Sequence, residues 1–591
     1  MQRRTLLQSS AAWPLLQGLP ALAQRAPGAA KVLRVAMSMA ETGFDPPRAN
    51  DGASLTVMNA IFESPLAWDY LARPPRLKPA TAAAMPEVSD QHRRFVITLK
   101  PGILFADDPV FKGRPRELVA ADCVYSVKRY YDPAIPTELL YDFENVKLLG
   151  LSELRRQAVA GKTPFPYDVE VPGIRALDRY RFEVRLAEPN PRFVTMFARM
   201  PTVAREVVEA YAADPMAHPV GTGPFRLGQW RRSSLIVLER NPRFRGQLFD
   251  SRAEPGDEVA LAAEQHLRGK TLPLLDRVEI AVITAEQPRW LAFLDGTLDA
   301  VQVPDEFAPS VVPGGQLAPY LARQGIRLQS RLASSVQFSF FNCEDPVVGG
   351  LTPERVALRR AIALACDNAA LLRHAFQGQG VIAQSMIPPH NVGYDGALVS
   401  ELGRADPARA KALLDLQGYV DRNGDGLREQ PDGRPLRIEL AAGEGGGARR
   451  TAEIWRKRML DLGLDFRFSF MPYSELIRRT LAGSLQMSEM AWTAGPDGEF
   501  FLGLAYGPNA GQSNDSRFRL PAFDALFERQ RAMETGPARL AVMQEALRTM
   551  LAYMPYIPHV HLRVNELTWP HVRGRVGHPL NFSSFMYTDI V

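Results

Sequence analysis

The chain has 591 residues, too many for one hydrophobic core, so several domain-sized units are expected. Its 70 basic and 65 acidic side chains leave a net charge of +5, but the signs are interspersed and no run of Lys and Arg alternates with aromatic residues, which argues against a nucleic-acid-binding surface. An apolar content of 46% suits a globular chain, 48 prolines and 44 glycines point to many turns, and three cysteines (Cys123, Cys343 and Cys366) are too few for a disulfide framework.

The N-terminus reads as a targeting segment. Arg3-Arg4-Thr5-Leu6-Leu7-Gln8 has a twin-arginine pattern, a modestly apolar stretch follows over 11–20, and Ala21-Leu22-Ala23 is a small-residue cleavage site. Residues 1–23 are therefore expected to be a signal peptide of twin-arginine type, leaving a mature protein in the periplasm. No cysteine follows the site to carry a lipid anchor, and no other apolar run reaches the roughly 18 residues that span a bilayer.

Beyond the leader, residues 33–37 read as a strand, and Leu55, Met58, Ile61 and Phe62 fall at helical spacing. Phe95, Ile97 and Leu99 alternate as a strand, Pro101-Gly102 turns the chain, and residues 119–129 form an amphipathic helix. A polar helix is expected over 151–159 and a strand over 180–186. Val220-Gly221-Thr222-Gly223-Pro224 leads into a hairpin over 225–240; it lacks the Gly-Lys and helix of a phosphate loop, so its glycines serve a turn. Residues 243–271 are polar and read as a surface excursion, followed by a strand over 274–283. From about 285 the β–α alternation restarts, with strands over 298–303, 336–342, 436–441, 465–470 and 487–492. Helices are expected over 286–294, 353–366, 406–417, 451–462, 521–533 and 539–554, and a last strand over 559–564. The pattern is α/β throughout.

Few motifs carry chemistry. Asp421, Asn423, Asp425, the backbone of Leu427, Glu429 and Asp432 follow calcium-loop spacing with Gly426 at the sixth position, and the same residues suit a tight Asn-Gly/Asp-Gly turn. His559 and His561 share a strand face without a supporting Cys/His framework, and Asp107-Asp108 sits in a turn. No nucleophile elbow or dinucleotide fingerprint occurs, which points away from an enzyme.

Several blocks, in order, resemble the periplasmic solute-binding proteins of ABC importers known as family 5, the oligopeptide, dipeptide and nickel-binding class. They are NAIFESPL (59–66), LKPGILFADD with AADCVYSVKR (99–129), VGTGPFRLGQW (220–230) with LERNPRF (238–244), FFNCEDP (340–346), RRAIALACD (359–367), FQGQG (376–380) with IPP (387–389), DPARAKALLDLQGY (406–419), MAWTAGPDGEFF (490–501) and PAFDALF (521–527).

The resemblance implies a two-lobed α/β periplasmic-binding-protein fold, class II-like and of the large family 5 type, with a hinge between the lobes. Residues 31–283 with 562–591 would form lobe I and 284–561 lobe II. It implies capture of an oligopeptide or peptide-like solute in the interlobe cleft by a monomer, delivery to the ABC permease in the inner membrane, no cofactor and no catalysis. A metal chelate, haem, opine or sugar remains an alternative cargo, and a secreted hydrolase is the rival class. In the dipeptide binders a Trp contacts the ligand where Tyr473 stands here. An Asp for the ligand's amino group falls at Gly495, with Asp497 or Glu499 nearby, and an Arg for its carboxylate falls at Ala442. The resemblance thus places Phe62, Glu63, Asn342, Tyr473, Trp492 and Asp497 at the cleft.

Overall fold

The computed structural model describes residues 30–49, 51–137, 139–444, 446–493, 495–580 and 583–591. The expected targeting segment 1–23 lies outside them. Among the described residues no helix is long and apolar enough to cross a membrane.

One strand of 13 residues, Tyr556–Thr568, ties the molecule together. Its first half pairs antiparallel with Ser335–Phe341, from Phe340 opposite Tyr556 to Gln337 opposite Val560. Its second half pairs with Arg327–Leu332, and its last residues also pair with Ala300–Gln302. It therefore belongs to two half-sheets within one 12-stranded sheet. In the first lobe Val32–Met37 lies parallel to Arg277–Val282 on one side and to Ala300–Gln302 on the other, with the hairpin Phe225–Arg231/Leu235–Arg240 at the edge. In the second lobe Met487–Thr493 runs antiparallel to Ser335–Phe341, and Arg437–Gly443 runs parallel to both Met487–Thr493 and Asp465–Met471.

These registers shift the lobe boundary. The resemblance starts the second lobe at residue 284. Yet Ala300 pairs with Val35 of the first-lobe sheet, and helix Glu286–Leu294 packs Trp290 and Phe293 beside Leu567 and Trp569. The chain changes lobes at Ala333-Ser334, between Arg327–Leu332 and Ser335–Phe341. Alternation shows that a strand exists, not which sheet it joins.

Residues 66–211 build a smaller module with its own core. Its sheet orders Glu87–Ser89, Arg94–Thr98, Arg181–Arg185 and Ile174–Ala176 antiparallel, over a core that includes Phe95, Ile97, Phe182, Val184, Phe193 and Phe197. Helix Ala120–Arg129 begins where the Asp122 carboxylate accepts the Val119 N–H at 2.9 Å and a carboxylate sits on the positive end of the helix. Val96, on the opposite face from Phe95 and Ile97, is also only 4% exposed, so both faces of the strand are covered. The polar stretch 243–271 is not only surface loop. Asp257 caps helix Glu258–Leu267 through Ala260 N, and Ala260, Ala263 and Leu267 at helical spacing bury one face.

Candidate functional site

The sheet directions locate a cleft. Gln302 lies opposite Glu566, and Val303 N–H bonds Asn565 O, so Ala300–Gln302 and the two strands that run parallel to it, Val32–Met37 and Arg277–Val282, point their carboxyl ends back toward the lobe crossing. From the other side, Thr493 lies opposite Ser335, the first strand residue past the crossing, and Arg437–Gly443 and Asp465–Met471 run in step with Met487–Thr493. The carboxyl ends of two parallel arrays thus face one another. In open α/β sheets ligands bind outside such ends, where the strand order switches. The loops after Met37, Val282 and Gln302 form one wall; those after Gly443, Met471 and Thr493 form the other.

Two expected cleft residues stand on this second wall. Tyr473 opens helix Tyr473–Leu481 directly after the strand end at Met471 and is 66% exposed. Trp492 is half-buried one residue before the strand end, its ring edge-on to Phe500 at 5.8 Å. Its indole Nε1–H donates to Asp515 Oδ2 at 3.2 Å. Asp515 was not apparent from sequence. It lies in Gln512-Ser513-Asn514-Asp515-Ser516, which reads as an exposed polar loop yet is largely buried, with Asn514 Nδ2 spent on Tyr506 O and Phe518 O. Burial raises the Asp515 carboxyl to about 7, against the lowering pulls of the Trp492 N–H and of Arg517.

The other four are committed elsewhere. Asp497 lies in the loop after Thr493, but both its oxygens take the Arg539 guanidinium at 2.7 Å, and Oδ1 also accepts Glu499 N–H. The Arg539 side chain is fully buried, so this carboxylate balances an internal charge and is not open to a ligand amine. Asn342 follows Phe341, at the end of its strand remote from the crossing, roughly 20 Å away at the rise of a strand. Its Nδ2 donates to Gly483 O and Leu485 O, fixing the entry to Met487–Thr493. Glu63 takes Arg245 in a two-point contact at 2.8 Å and the Thr222 hydroxyl at 2.9 Å. Phe62, buried at the end of helix Gly52–Ile61, packs with Val203 in the core. Sequence position alone did not reveal the arginines that claim Asp497 and Glu63, since Arg539 and Arg245 lie 42 and 182 residues away.

The rim of the cleft carries an ion-pair cluster between the small module and the second lobe. Arg192 Nε donates to Glu499 Oε2 at 2.6 Å, and its two terminal nitrogens donate to Met533 O at 3.0 Å and Arg531 O at 2.5 Å. Beside it His92 Nε2 lies 3.0 Å from Glu534.

The rival chemistry has a counterpart, but a closed one. His559 Nδ1 lies 2.8 Å from Asn368 Oδ1 and its Nε2 2.9 Å from Ser339 Oγ, the order of a nucleophile, base and orienting group. Because an amide oxygen only accepts, Nδ1 carries the proton and Nε2 accepts from the serine. Ser339 and His559 are fully buried and Asn368 is 2% exposed, so no substrate reaches the hydroxyl. Burial drops the imidazole to about 3 and lifts the neighbouring Cys366 thiol, which suits a neutral packed network. The His561 Nδ1 lies 3.0 Å from Ser335 O. Asp107 pairs with Arg243, and Asp108 accepts Val110 N–H and the Tyr211 hydroxyl. All three cysteines are free.

In the 421–432 loop, carboxylate oxygens of Asp421, Asp425 and Glu429 lie within 4.8 Å of one another. Asp421 already accepts Gly424 and Gly426 N–H at 2.6 and 2.8 Å, and these bonds hold it below the usual carboxylate range. Asn423 Oδ1 accepts Asp425 N–H, and Asn423 Nδ2 donates to Asp425 Oδ2. Asp432, expected to close the set, turns away to Arg434 across the following hairpin. Gly424 and Gly426 adopt φ of +79° and +88°, as such a turn requires.

The family model for "Bacterial extracellular solute-binding proteins, family 5 Middle" matches residues 76–513. The chain belongs to this family. A dipeptide-binding protein of Escherichia coli (strain K12) is 23% identical, covering 85% of this chain and 84% of its own. Heme-binding protein A of Haemophilus influenzae is 22% identical, covering 92% and 90%. Among solved structures, the oligopeptide-binding protein AppA of Bacillus subtilis in complex with a nonapeptide superposes with a TM-score of 0.71 at 16% identity, covering 95% of this chain and 99% of that one. The two-lobed fold of this family 5 member is thus the one its sequence resembles.

Proposed function

We propose that this family 5 protein is the periplasmic substrate-binding subunit of an ABC importer, closing its lobes over an oligopeptide or peptide-like solute and presenting it to the membrane permease. The observation that carries the reading is the opposition of two sets of strand carboxyl ends across a shared crossing strand, with Arg192 joining the rim on both sides. Ligand binding supplies the differential free energy that favours the closed arrangement. The protein itself carries out no reaction in this scheme and works as a monomer. Export by the twin-arginine route and release without a lipid anchor complete the proposal.

The wall favours backbone recognition over capture of free chain termini. Gly495 offers no side chain, Asp497 is locked by Arg539, and Ala442 is 1% exposed where the resemblance would place an arginine. A peptide longer than two residues, held through its main chain, fits this chemistry. The same features favour, as a second reading, a non-peptide solute, and the Haemophilus relative is named for haem. Native mass spectrometry of freshly purified protein decides between them. A one-to-one adduct of peptide mass that raises the melting temperature without being converted supports the proposal; an adduct of another class moves the cargo; turnover of the bound compound overturns the binding-protein reading.

A further inference from the structure

We infer that Arg331 and Arg73 form an anion-binding site beside the lobe crossing, built for a carboxylate or phosphate group. Arg331 is the fifth residue of Arg327–Leu332, two positions before the chain changes lobes. Its half-buried side chain lies on the backbone of Gly577, where any Cβ would stand 2.5 Å from Arg331 Nε. Arg73 reaches the same residue, Nη2 donating to Gly577 O at 3.0 Å, while Nη1 donates to Ala72 O at 2.9 Å and Tyr70 O at 3.3 Å. Two guanidinium groups therefore meet at one glycine.

Neither has an ion pair among the described residues, and the Arg331 side chain makes no hydrogen bond there either. The carboxylates nearby are engaged. Glu566 takes Arg575 at 2.7 and 3.0 Å, Asp69 accepts Leu71 and Ala72 N–H and the Ser251 hydroxyl, and Asp257 caps its helix through Ala260 N. His578 is buried beside both arginines, and burial together with their charge keeps it neutral, at about 3. Five N–H donors of Arg331 are thus unspent on a group partly withdrawn from water, an arrangement that is costly until an anion answers it.

The frame around them is already fixed. Gln329 donates to Arg575 O at 2.6 Å and accepts Gly577 N–H at 3.0 Å; the Tyr70 hydroxyl donates to Gly574 O and accepts Val576 N–H. Binding then asks no rearrangement of the segment 574–577, and a planar fork of donors matches the oxygens of a carboxylate or phosphate. This inference does not depend on which cargo the cleft holds.

The test is calorimetric titration of the full protein with inorganic phosphate and with succinate, in a buffer free of both, alongside Arg331→Gln, Arg331→Lys and Arg73→Gln. One saturable equivalent is expected in the wild type, weakened at least tenfold by either glutamine variant and less by lysine. Without added anion, Arg331→Gln is expected to melt at or above the wild-type temperature, because an unanswered charge has been removed. Absence of saturable binding in as-purified and stripped protein alike, equal binding by the wild type and Arg331→Gln, or a lower melting temperature of that variant in anion-free buffer overturns the proposal. Comparing as-purified protein with protein stripped by reversible unfolding separates the sources. Uptake by the stripped form alone assigns the site to an acidic group on the cargo; uptake by both assigns it to a free anion.

Discussion

Arg192 and Glu499 meet at 2.6 Å although 307 residues separate them in the chain, and their bond joins the small module to the second lobe. Three acceptors from that lobe converge on this one guanidinium, and with the neighbouring His92–Glu534 contact it spans the rim. Arg192→Ala is expected to favour the open arrangement. Truncating one partner of a buried hydrogen-bonded charge pair costs on the order of 2–5 kcal/mol, so cargo affinity should fall by at least about tenfold. Calorimetry with the co-purified ligand and small-angle scattering check this together. An unchanged affinity and radius of gyration would show that the latch does not set the closed state.

Asp497 is expected to act on stability before it acts on binding. Its removal takes both 2.7 Å contacts from the buried Arg539 and leaves only Glu499 Oε2, at 3.4 Å, as counter-charge; breaking such a pair costs about 3–5 kcal/mol. Asp497→Ala should therefore lower the denaturation midpoint sharply, while the double variant Asp497→Leu/Arg539→Met recovers most of the loss. A ligand-contact role would show instead as weakened binding at unaltered stability.

The carboxyl of Asp515, raised to about 7, gives a signed pH effect. Between about pH 4 and pH 7 the folded protein holds a proton that the unfolded chain has released. That stabilisation is complete below the unfolded value and lost as pH rises through the folded one. Asp515→Asn keeps an acceptor for Trp492 and removes the titration. Its melting temperature relative to wild type should increase from pH 4 to pH 8. A parallel pair of curves would show that the carboxyl does not titrate in this window.

Chelation is expected to leave the melting temperature within about 1 °C. Asp421 has its oxygens on two backbone N–H groups and Asp432 is held by Arg434, which describes a self-sufficient turn. A fall with chelator that calcium restores, and that Asp425→Asn removes, would instead establish a bound ion at the three-carboxylate group.

Periodicity and blocks such as AADCVYSVKR carried the fold well, because strands and amphipathic helices leave their spacing in the chain. Trp492 and Tyr473 were expected at the cleft from the resemblance alone, and both stand beside strand ends. What stayed hidden was long-range pairing. No local feature of Asp497 announces Arg539, nor of Glu63 Arg245, and a free-looking carboxylate in sequence became half of an internal salt bridge. Asp515 was missed for the converse reason: a Ser/Asn/Asp run reads as solvent-facing unless its burial is known. The segment 243–271 was underread because its short apolar stripe sits among charges.

The crossing strand Tyr556–Thr568 also constrains how the protein can be made. Both half-sheets leave a vacancy between their central neighbours until this strand arrives, and it lies in the last tenth of the chain. A product cut short before Tyr556 would carry two open edges, at Ser335–Phe341 and at Ala300–Gln302, each offering unpaired backbone to other chains. Completion of synthesis, rather than assembly of either lobe, is thus the point at which the molecule becomes safe from association with its own copies.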